Sequence, residues 1–571
     1  MRHSSAPLLS TVALLLSACG GGGSGSTPAP TPAPAPAPTP VLGTPLTVGA
    51  STPAPGGAGG ADTTPSLVFN QALDAATVSV AAVTLSSPIG AVNSSLALDG
   101  STVTLTPAQP LVWGSHYQLS AATTLRATGG GALAAPYSTG FDTRMPTWSA
   151  MVKSPVSKPA MGNLQTAGAR NGDVVAVWTE VGANGASQVS ANRYNAATQS
   201  WSTASAIQGT EKRAESPVLR ADDAGNACAV WEEQLDNGNY AIKAARYNAA
   251  TGRWSAPATV SRPGEYSSHY SGATVAIGRS GSIIVAWKQY HSTVASQATT
   301  DVAYFDAASQ QWTPARSLQD SPTDTGFPVA AVDAGGNAMV LWSQAGPTVG
   351  ITLANAARYD ARARSWSPNT LVAPGATGGS SVAQFVFDAA GDAVATISLA
   401  TPQSASSVHV IRYTGASNSW GQPELMDTAY HATTLAFDAA GNALLVWPTY
   451  AGATDFNIAS RRYQRSTGTW TALPNVPSYT SSVMPLAFDP AGNAVTAWVG
   501  YNAGVYSMVS MRFNAAAGKW DAPVSIASGT SAMGQPALSL DQSGQAMLLW
   551  AQFANLYSSP VQTAYSRLTG R

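Results

Sequence analysis

Cysteine is almost absent from this chain, charge is sparse, and no apolar run is long enough to cross a bilayer. Two Cys in 571 residues, Cys19 and Cys228, exclude a disulfide-built scaffold, so stability must come from packing. Charged residues make up 10% of the chain, with 28 Lys+Arg against 29 Asp+Glu. That leaves no basic surface of the kind that phosphate binding requires, and nucleic acid is excluded as a partner. The six His are scattered, only His269 and His291 lying close within one unit, and no Cys/His cluster exists, so no metal is expected. No glycine-rich phosphate motif follows a strand and opens a helix, so no cofactor is expected either. Abundant instead are Gly (53), Pro (38) and Trp (16), in a chain too long for one ordinary domain.

The N-terminus reads as an address. Arg2 precedes the apolar stretch Leu8 to Ala18, too short to span a bilayer but suited to a secretory signal. It ends in Leu16-Ser17-Ala18-Cys19, which resembles the lipobox of bacterial lipoproteins. The resemblance implies cleavage after residue 18, lipidation of Cys19 and, with Gly20 rather than Asp next, export to the outer membrane. The membrane is then met through the lipid anchor only, and Cys228 is left without a partner for an intramolecular disulfide. Residues 19–40 are a linker. Gly20 to Ser26 is a flexible hinge, and Thr27 to Pro40 alternates Pro with Ala or Thr, favouring extended polyproline II. At about 3.1 Å per residue this stalk would reach roughly 40 Å.

Residues 41–145 show short β-rich segments separated by turn residues, the pattern of a β-sandwich. The wording Ser66-Leu67-Val68-Phe69, then Leu105 to Leu111, His116-Tyr117-Gln118-Leu119 and Gly140-Phe141-Asp142-Thr143-Arg144 resembles the bacterial Ig-like domain first described in surface-layer proteins. It departs from that family at Arg126 to Gly131, where an Asp-x-x-Gly-Asn turn is frequent. The resemblance implies a spacer or adhesion module. Trp113 and His116 read as packing residues.

Residues 146–571 are one repeat written eight times. An outer Trp recurs at Trp148, Trp201, Trp254, Trp312, Trp366, Trp420, Trp470 and Trp520. An inner Trp follows a turn Gly by six residues at Trp178, Trp231, Trp287, Trp342, Trp447, Trp498 and Trp550, with Ile397 in its place in unit five. Within unit two, Pro217 to Asp222, Asn226 to Trp231, Tyr240 to Tyr247 and Trp254 to Val260 read as four strands. Four antiparallel strands per roughly 50 residues is the size of a β-propeller blade. The expected fold class is therefore all-β: an Ig-like β-sandwich followed by an eight-bladed β-propeller of four-stranded blades, closed by a strand at 147–155. A seven-bladed ring with one stray unit is the alternative.

Asp stands three residues before the turn Gly at Asp222, Asp333, Asp388, Asp438, Asp489 and Asp541, placed to accept turn N–H groups. Arg ends the third strand at Arg193, Arg246, Arg358, Arg412, Arg462 and Arg512, so Asp–Arg pairs within blades are expected. The spacing of the sialidase Asp-box is not reproduced. One blade end carries short repetitive turns, whereas the other carries variable loops, where binding usually resides. Units two and three are chemically richest there: Glu232, Glu233, Asp236, Glu265, Tyr266, His269, Tyr270, Lys288, Tyr290 and His291. Two residues past the inner Trp, Glu180, Glu233, Gln289, Gln344 and Gln552 are expected to ring the channel mouth. Aromatics among amides and carboxylates suit sugar stacking and hydroxyl recognition. The expectation is an envelope lipoprotein, monomeric, that binds a glycan or an envelope protein without catalysis. The alternatives are a carbohydrate-active hydrolase or lyase using Glu233 or Glu265, and a scaffold for envelope assembly.

Overall fold

The computed structural model describes residues 44–153, 162–262, 272–291, 297–320, 322–348, 351–374, 379–401, 404–428, 432–450, 452, 456–480, 484–553 and 560–570. The signal, Cys19 and the linker lie outside them. The described chain is all-β, its one helical element being the 3-10 turn Ala75–Thr77.

Residues from Leu46 to Thr143 form two facing sheets. One contains Val48–Thr52, Ser66–Phe69, Thr102–Pro107 and Ser94–Asp99; the other contains Ala58–Gly59, Tyr137–Thr143, His116–Ala121, Val83–Ser87 and Gly90–Ala91. Alternate residues point inward, so Leu67 and Phe69, Val103 and Leu105, Val83 and Leu85, and Tyr117 and Leu119 meet in one core with Phe141.

Eight further sheets follow in chain order. Sheet two illustrates the unit: Ala214–Ala221, Ala227–Gln234, Tyr240–Asn248 and Arg253–Trp254 pair antiparallel in that order, and Ala258–Thr259 adds a second short pairing. The outer strand breaks into two pieces where the sequence suggested one. In five sheets a proline stands in the gap, at Pro257, Pro314, Pro368, Pro423 and Pro523, where it cannot donate to the ladder. The first turn behaves as its sequence implies. Asp222 accepts the N–H groups of Ala224 and Asn226 at 3.0 and 2.9 Å and the Asn226 side-chain amide at 3.0 Å, and Gly225 takes the φ of +84° that the turn demands. Asp333, Asp438 and Asp489 repeat the arrangement.

Each sheet packs against the next through the inner Trp, which faces the preceding sheet. Trp231 packs with Val175, Val177 and Val189 of sheet one, and Trp287 with Cys228 and Val230 of sheet two. The series ends where it began. Trp178 of sheet one packs on Leu549 of sheet eight, and Thr147–Trp148 pairs with Leu568 and Thr569 as the outer strand of that last sheet. Each outer Trp from 201 to 520 leans on the aromatic ending its third strand, with ring centroids 5.3–5.5 Å apart.

The expected Asp–Arg pairing needs correction. Arg358–Asp333 and Arg512–Asp489 are pairs within one sheet, at 3.4 and 3.7 Å. Arg246, Arg412, Arg462 and Arg567 instead lie over Phe305, Tyr463, Phe513 and Tyr194 of the following sheet, at 4.0–5.4 Å. The third strand ends at the sheet boundary, so its long Arg side chain can reach the neighbour's ring, and a turn Asp can take an Arg from the next sheet instead, as Asp388 takes Arg465 at 2.7 Å.

The Ig-like domain sits on the turn-rich end of sheets seven and eight. The Trp113 N–H donates to the Ser543 carbonyl at 2.9 Å, Arg512 donates to the Trp113 carbonyl at 3.0 Å, and the Asn493 amide donates to Ser115 Oγ at 2.8 Å. Trp113 thus packs between domains, a contact that its sequence context does not indicate. His116, expected to pack, is instead exposed on the Ig-like surface, paired with Asp142 at 2.9 Å.

Candidate functional site

With the Ig-like domain at the turn-rich end, the opposite end of the sheets carries the longer loops, and it divides into two chemically different halves.

The charged half spans sheets one to four. Its second strands run beyond the inner Trp: Ala227–Gln234 and Ile283–Tyr290 carry Glu232, Glu233, Lys288, Gln289 and Tyr290 as strand residues, not loop residues. This corrects the expected polar ring around a mouth. The Trp178 indole N–H donates to Glu180 at 2.9 Å, Trp231 to Glu233 at 3.2 Å, Trp287 to Gln289 at 2.9 Å and Trp342 to Gln344 at 2.8 Å. Residues two apart share a strand face, so each acceptor lies directly beyond its own indole. Glu180, Glu233 and Gln289 are buried, and Gln344 is half-buried. Glu180 also accepts from Gln188 at 2.9 Å and Ser190 at 2.8 Å, and Lys243 stands 3.6 Å from Glu233. Their role is to satisfy donors that would otherwise be buried unpaired, each worth about 1–3 kcal/mol.

Between sheets two and three these strands enclose a polar cluster. Asp301 is fully buried, 2.8 Å from the Arg262 guanidinium, and accepts from the Thr299 hydroxyl at 2.7 Å. His291 Nε2 lies 2.9 Å from the same hydroxyl. Glu232 shares a strand face with Cys228 and Val230, which pack on sheet three, so it points into this boundary. Lys288 sits over the Tyr290 ring at 4.9 Å and 3.9 Å from Asp324; burial lowers its pKa and raises that of Tyr290. Burial likewise pushes the Cys228 thiol up to about 12, which leaves it unreactive. Asp236 is the exposed member of the set and is paired with Lys212. Glu265, Tyr266, His269 and Tyr270 lie outside the described residues. Among the described residues, no three His, Cys, Asp or Glu converge as metal ligands would.

The second half, on sheets six and seven, was not singled out from sequence. Tyr450 and Phe456 face each other across the hairpin of sheet six, with centroids 5.0 Å apart. Tyr501 and Tyr506 do the same on sheet seven at 4.6 Å, around a two-residue turn whose Ala503 and Gly504 have φ of +48° and +83°. Two positive φ values define the tight hairpin turn that matches strand twist, so this pair is held rigidly. The segment Ser478-Tyr479 bridges the hairpins: Ser478 donates its N–H to the Phe456 carbonyl at 3.0 Å, and Tyr501 donates to the Tyr479 carbonyl at 3.2 Å. The Trp498 indole fixes the segment by donating to the Ser478 carbonyl at 3.1 Å. Tyr450, Tyr479 and Tyr501 are 66%, 47% and 53% exposed. The signal that could have found Tyr450 and Tyr501 is a Tyr at the far end of the second strand, three residues past the inner Trp; Tyr479, in the connection after the outer strand, carries no such signal.

The chain is an all-β protein carrying a bacterial Ig-like domain, whose family model matches residues 43–143. No curated protein matches the chain. Among solved structures it is similar to a protein of unknown function from Dyadobacter fermentans, at 13% identity over 53% of this chain and 94% of that one, with a TM-score of 0.35. It is similar to a polysaccharide lyase of the ulvan lyase family, at 12% identity over 63% and 93%, with a TM-score of 0.39. A Hadza microbial sialidase aligns at 13% identity over 92% and 99%, with a TM-score of 0.36. Likeness at this level assigns no activity.

Proposed function

We propose that the chain is an outer-membrane lipoprotein, anchored through Cys19, in which a stalk (19–40) and the Ig-like domain (41–145) hold out an eight-bladed β-propeller (146–571) that binds a glycan without turning it over. The closed-ring reading rests on the pairing of Thr147–Trp148 with Leu568 and Thr569 and on the packing of sheet eight against sheet one. Closure of that kind removes exposed strand edges.

The observation that carries the binding reading is the position of the Ig-like domain. It contacts the turn-rich end and leaves the loop-rich end uncovered, open to a ligand. Binding without turnover is supported by the use of Glu180 and Glu233. Both are buried acceptors of indole N–H groups, poorly placed to exchange protons with a polymer.

The test is a soluble form begun at Val41, applied to an array of bacterial, plant and animal glycans while released products are recorded. Retention on a glycan without release is expected. Release of oligosaccharides would overturn the non-catalytic reading, and no retention on any glycan would overturn the carbohydrate reading in favour of an envelope protein partner. In cells, labelled palmitate should enter the wild-type chain and not Cys19→Ser.

A further inference from the structure

We infer that the tyrosine platform on sheets six and seven, formed by Tyr450, Phe456, Tyr479, Tyr501 and Tyr506, is the contact surface for an uncharged polysaccharide. This rests on the glycan reading above and adds to it a site and a ligand class.

Three observations carry it. The first is exposure without looseness: three Tyr rings stand in solvent while the backbone beneath them is tied hairpin to hairpin through Ser478 and Tyr479 and pinned to the Trp498 indole. A surface that keeps large rings exposed on a rigid base has already met the ordering cost that binding would otherwise impose. The second is chemistry. A phenol ring offers a face for the C–H side of a pyranose and a hydroxyl that both donates and accepts, with only two side-chain torsions to fix.

The third is charge. From Ser466 to Phe488 and from Pro490 to Met511 the sequence has no Asp, Glu, Lys or Arg, and the same holds from Ala522 to Leu540 and from Gln542 to Ser566. The exception on the sheet-six hairpin is Asp455, outside the described residues, and Asp489 stands at the opposite end under the Ig-like domain. A uronate or sulfated polymer laid on this surface would lose hydration of its anions with no cation to replace it. A neutral polymer loses nothing of that kind. Two neighbouring hairpins, joined through Ser478 and Tyr479, each carry a ring pair, which suits more than one sugar unit of a chain better than a single monosaccharide.

The experiment uses the soluble chain begun at Val41 and affinity electrophoresis in gels containing neutral polymers (β-glucan, xylan, mannan, galactan) or acidic ones (pectate, alginate, a sulfated galactan). Wild type is expected to be retarded by at least one neutral polymer and by no acidic one. The double substitution Tyr479→Ala with Tyr501→Ala should weaken that binding by at least tenfold, and Tyr450→Ala by a few-fold. Tyr290→Ala, in the charged half, should leave it unchanged. Tyr501→Phe keeps the ring and should retain most of the affinity; a loss equal to that of Tyr501→Ala would overturn the stacking argument. Melting temperatures of the Tyr450, Tyr479 and Tyr501 variants should stay close to wild type, since these side chains are about half exposed or more.

If the neutral polymer binds the double variant as tightly as wild type, the platform is overturned while the glycan reading stands. If wild type binds acidic polymers instead, the ligand class is overturned. If it binds none of the polymers and nothing on the wider array, the glycan reading itself falls and takes the platform with it.

Discussion

The two halves of the loop-rich end are built on the same four-stranded unit and do opposite things with it. On sheets one to three, second strands extended past the inner Trp carry Glu180, Glu233 and Gln289, and a third strand carries Asp301, into positions where indoles, hydroxyls and a guanidinium group take up their hydrogen-bonding capacity. At the loop-rich end of sheets six and seven the described residues include no Asp, Glu, Lys or Arg, and aromatic rings stand in solvent. Trp447 and Trp498 there bond to Asp427 and to the Ser478 carbonyl, acceptors from the outer strand and the connection after it, so the residue two beyond the Trp is released from that duty. A concentration of ionisable residues is therefore no guide to a binding surface when burial has already matched each charge with a partner.

The contrast makes its largest claim about stability. Glu180→Ala strips three donors of a buried acceptor, the Trp178 indole, the Gln188 amide and the Ser190 hydroxyl. Unfolding followed by tryptophan fluorescence in urea should show a loss of roughly 2–3 kcal/mol, since buried donors left unpaired cost about that much. Glu180→Gln keeps an acceptor and should lose less. If Glu180→Ala unfolds at the wild-type midpoint but fails to bind glycan, the charged half is the working surface after all.

Arg262→Ala comes next. It leaves the fully buried Asp301 carboxylate without the guanidinium 2.8 Å away. Because Arg262 is itself 30% exposed, the loss should be about 1–2 kcal/mol, below the range for a wholly buried pair. On the other half, Tyr501→Ala should change stability by no more than about 0.5 kcal/mol, as for surface substitutions generally. Reversal of that order, with Tyr501→Ala the more destabilising, would mean the tyrosines are structural and would erase the distinction between the halves.

Sequence patterning made the all-β architecture and the Ig-like domain legible, because both are written in local signals: alternating strands, Asp–Gly turns and Trp at fixed offsets. Asp222 and its counterparts act as their spacing implied, since an Asx turn is settled within five residues. What stayed hidden depends on pairing and packing that the local signals do not specify. Whether the second strand stops at Trp231 or continues to Gln234 depends on Tyr240 and Ala241 arriving to pair with it, and that extension turns Glu232 and Glu233 from loop residues into buried ones. The partner of Arg246 lies in the following sheet, at Phe305. Tyr501 resembles many strand-end tyrosines until the Ser478-Tyr479 segment is seen to run beside it.

The smallest expected effect is the sharpest discriminator. Binding through charged side chains weakens as salt screens them, with the screening length falling from about 30 Å at 0.01 M to about 3 Å at 1 M. A surface of phenol rings, amides and hydroxyls has no such dependence. Affinity of the soluble chain for its neutral polymer should therefore change by less than about twofold between 0.05 and 0.5 M sodium chloride. It should also stay flat between pH 5 and 8, where only His among unperturbed side chains changes charge. Asp236→Asn, which removes the exposed carboxylate paired with Lys212, should leave the affinity untouched. A binding constant that falls steeply with salt, or that Asp236→Asn alters, would place the ligand on sheets two and three and reverse the assignment of the two halves.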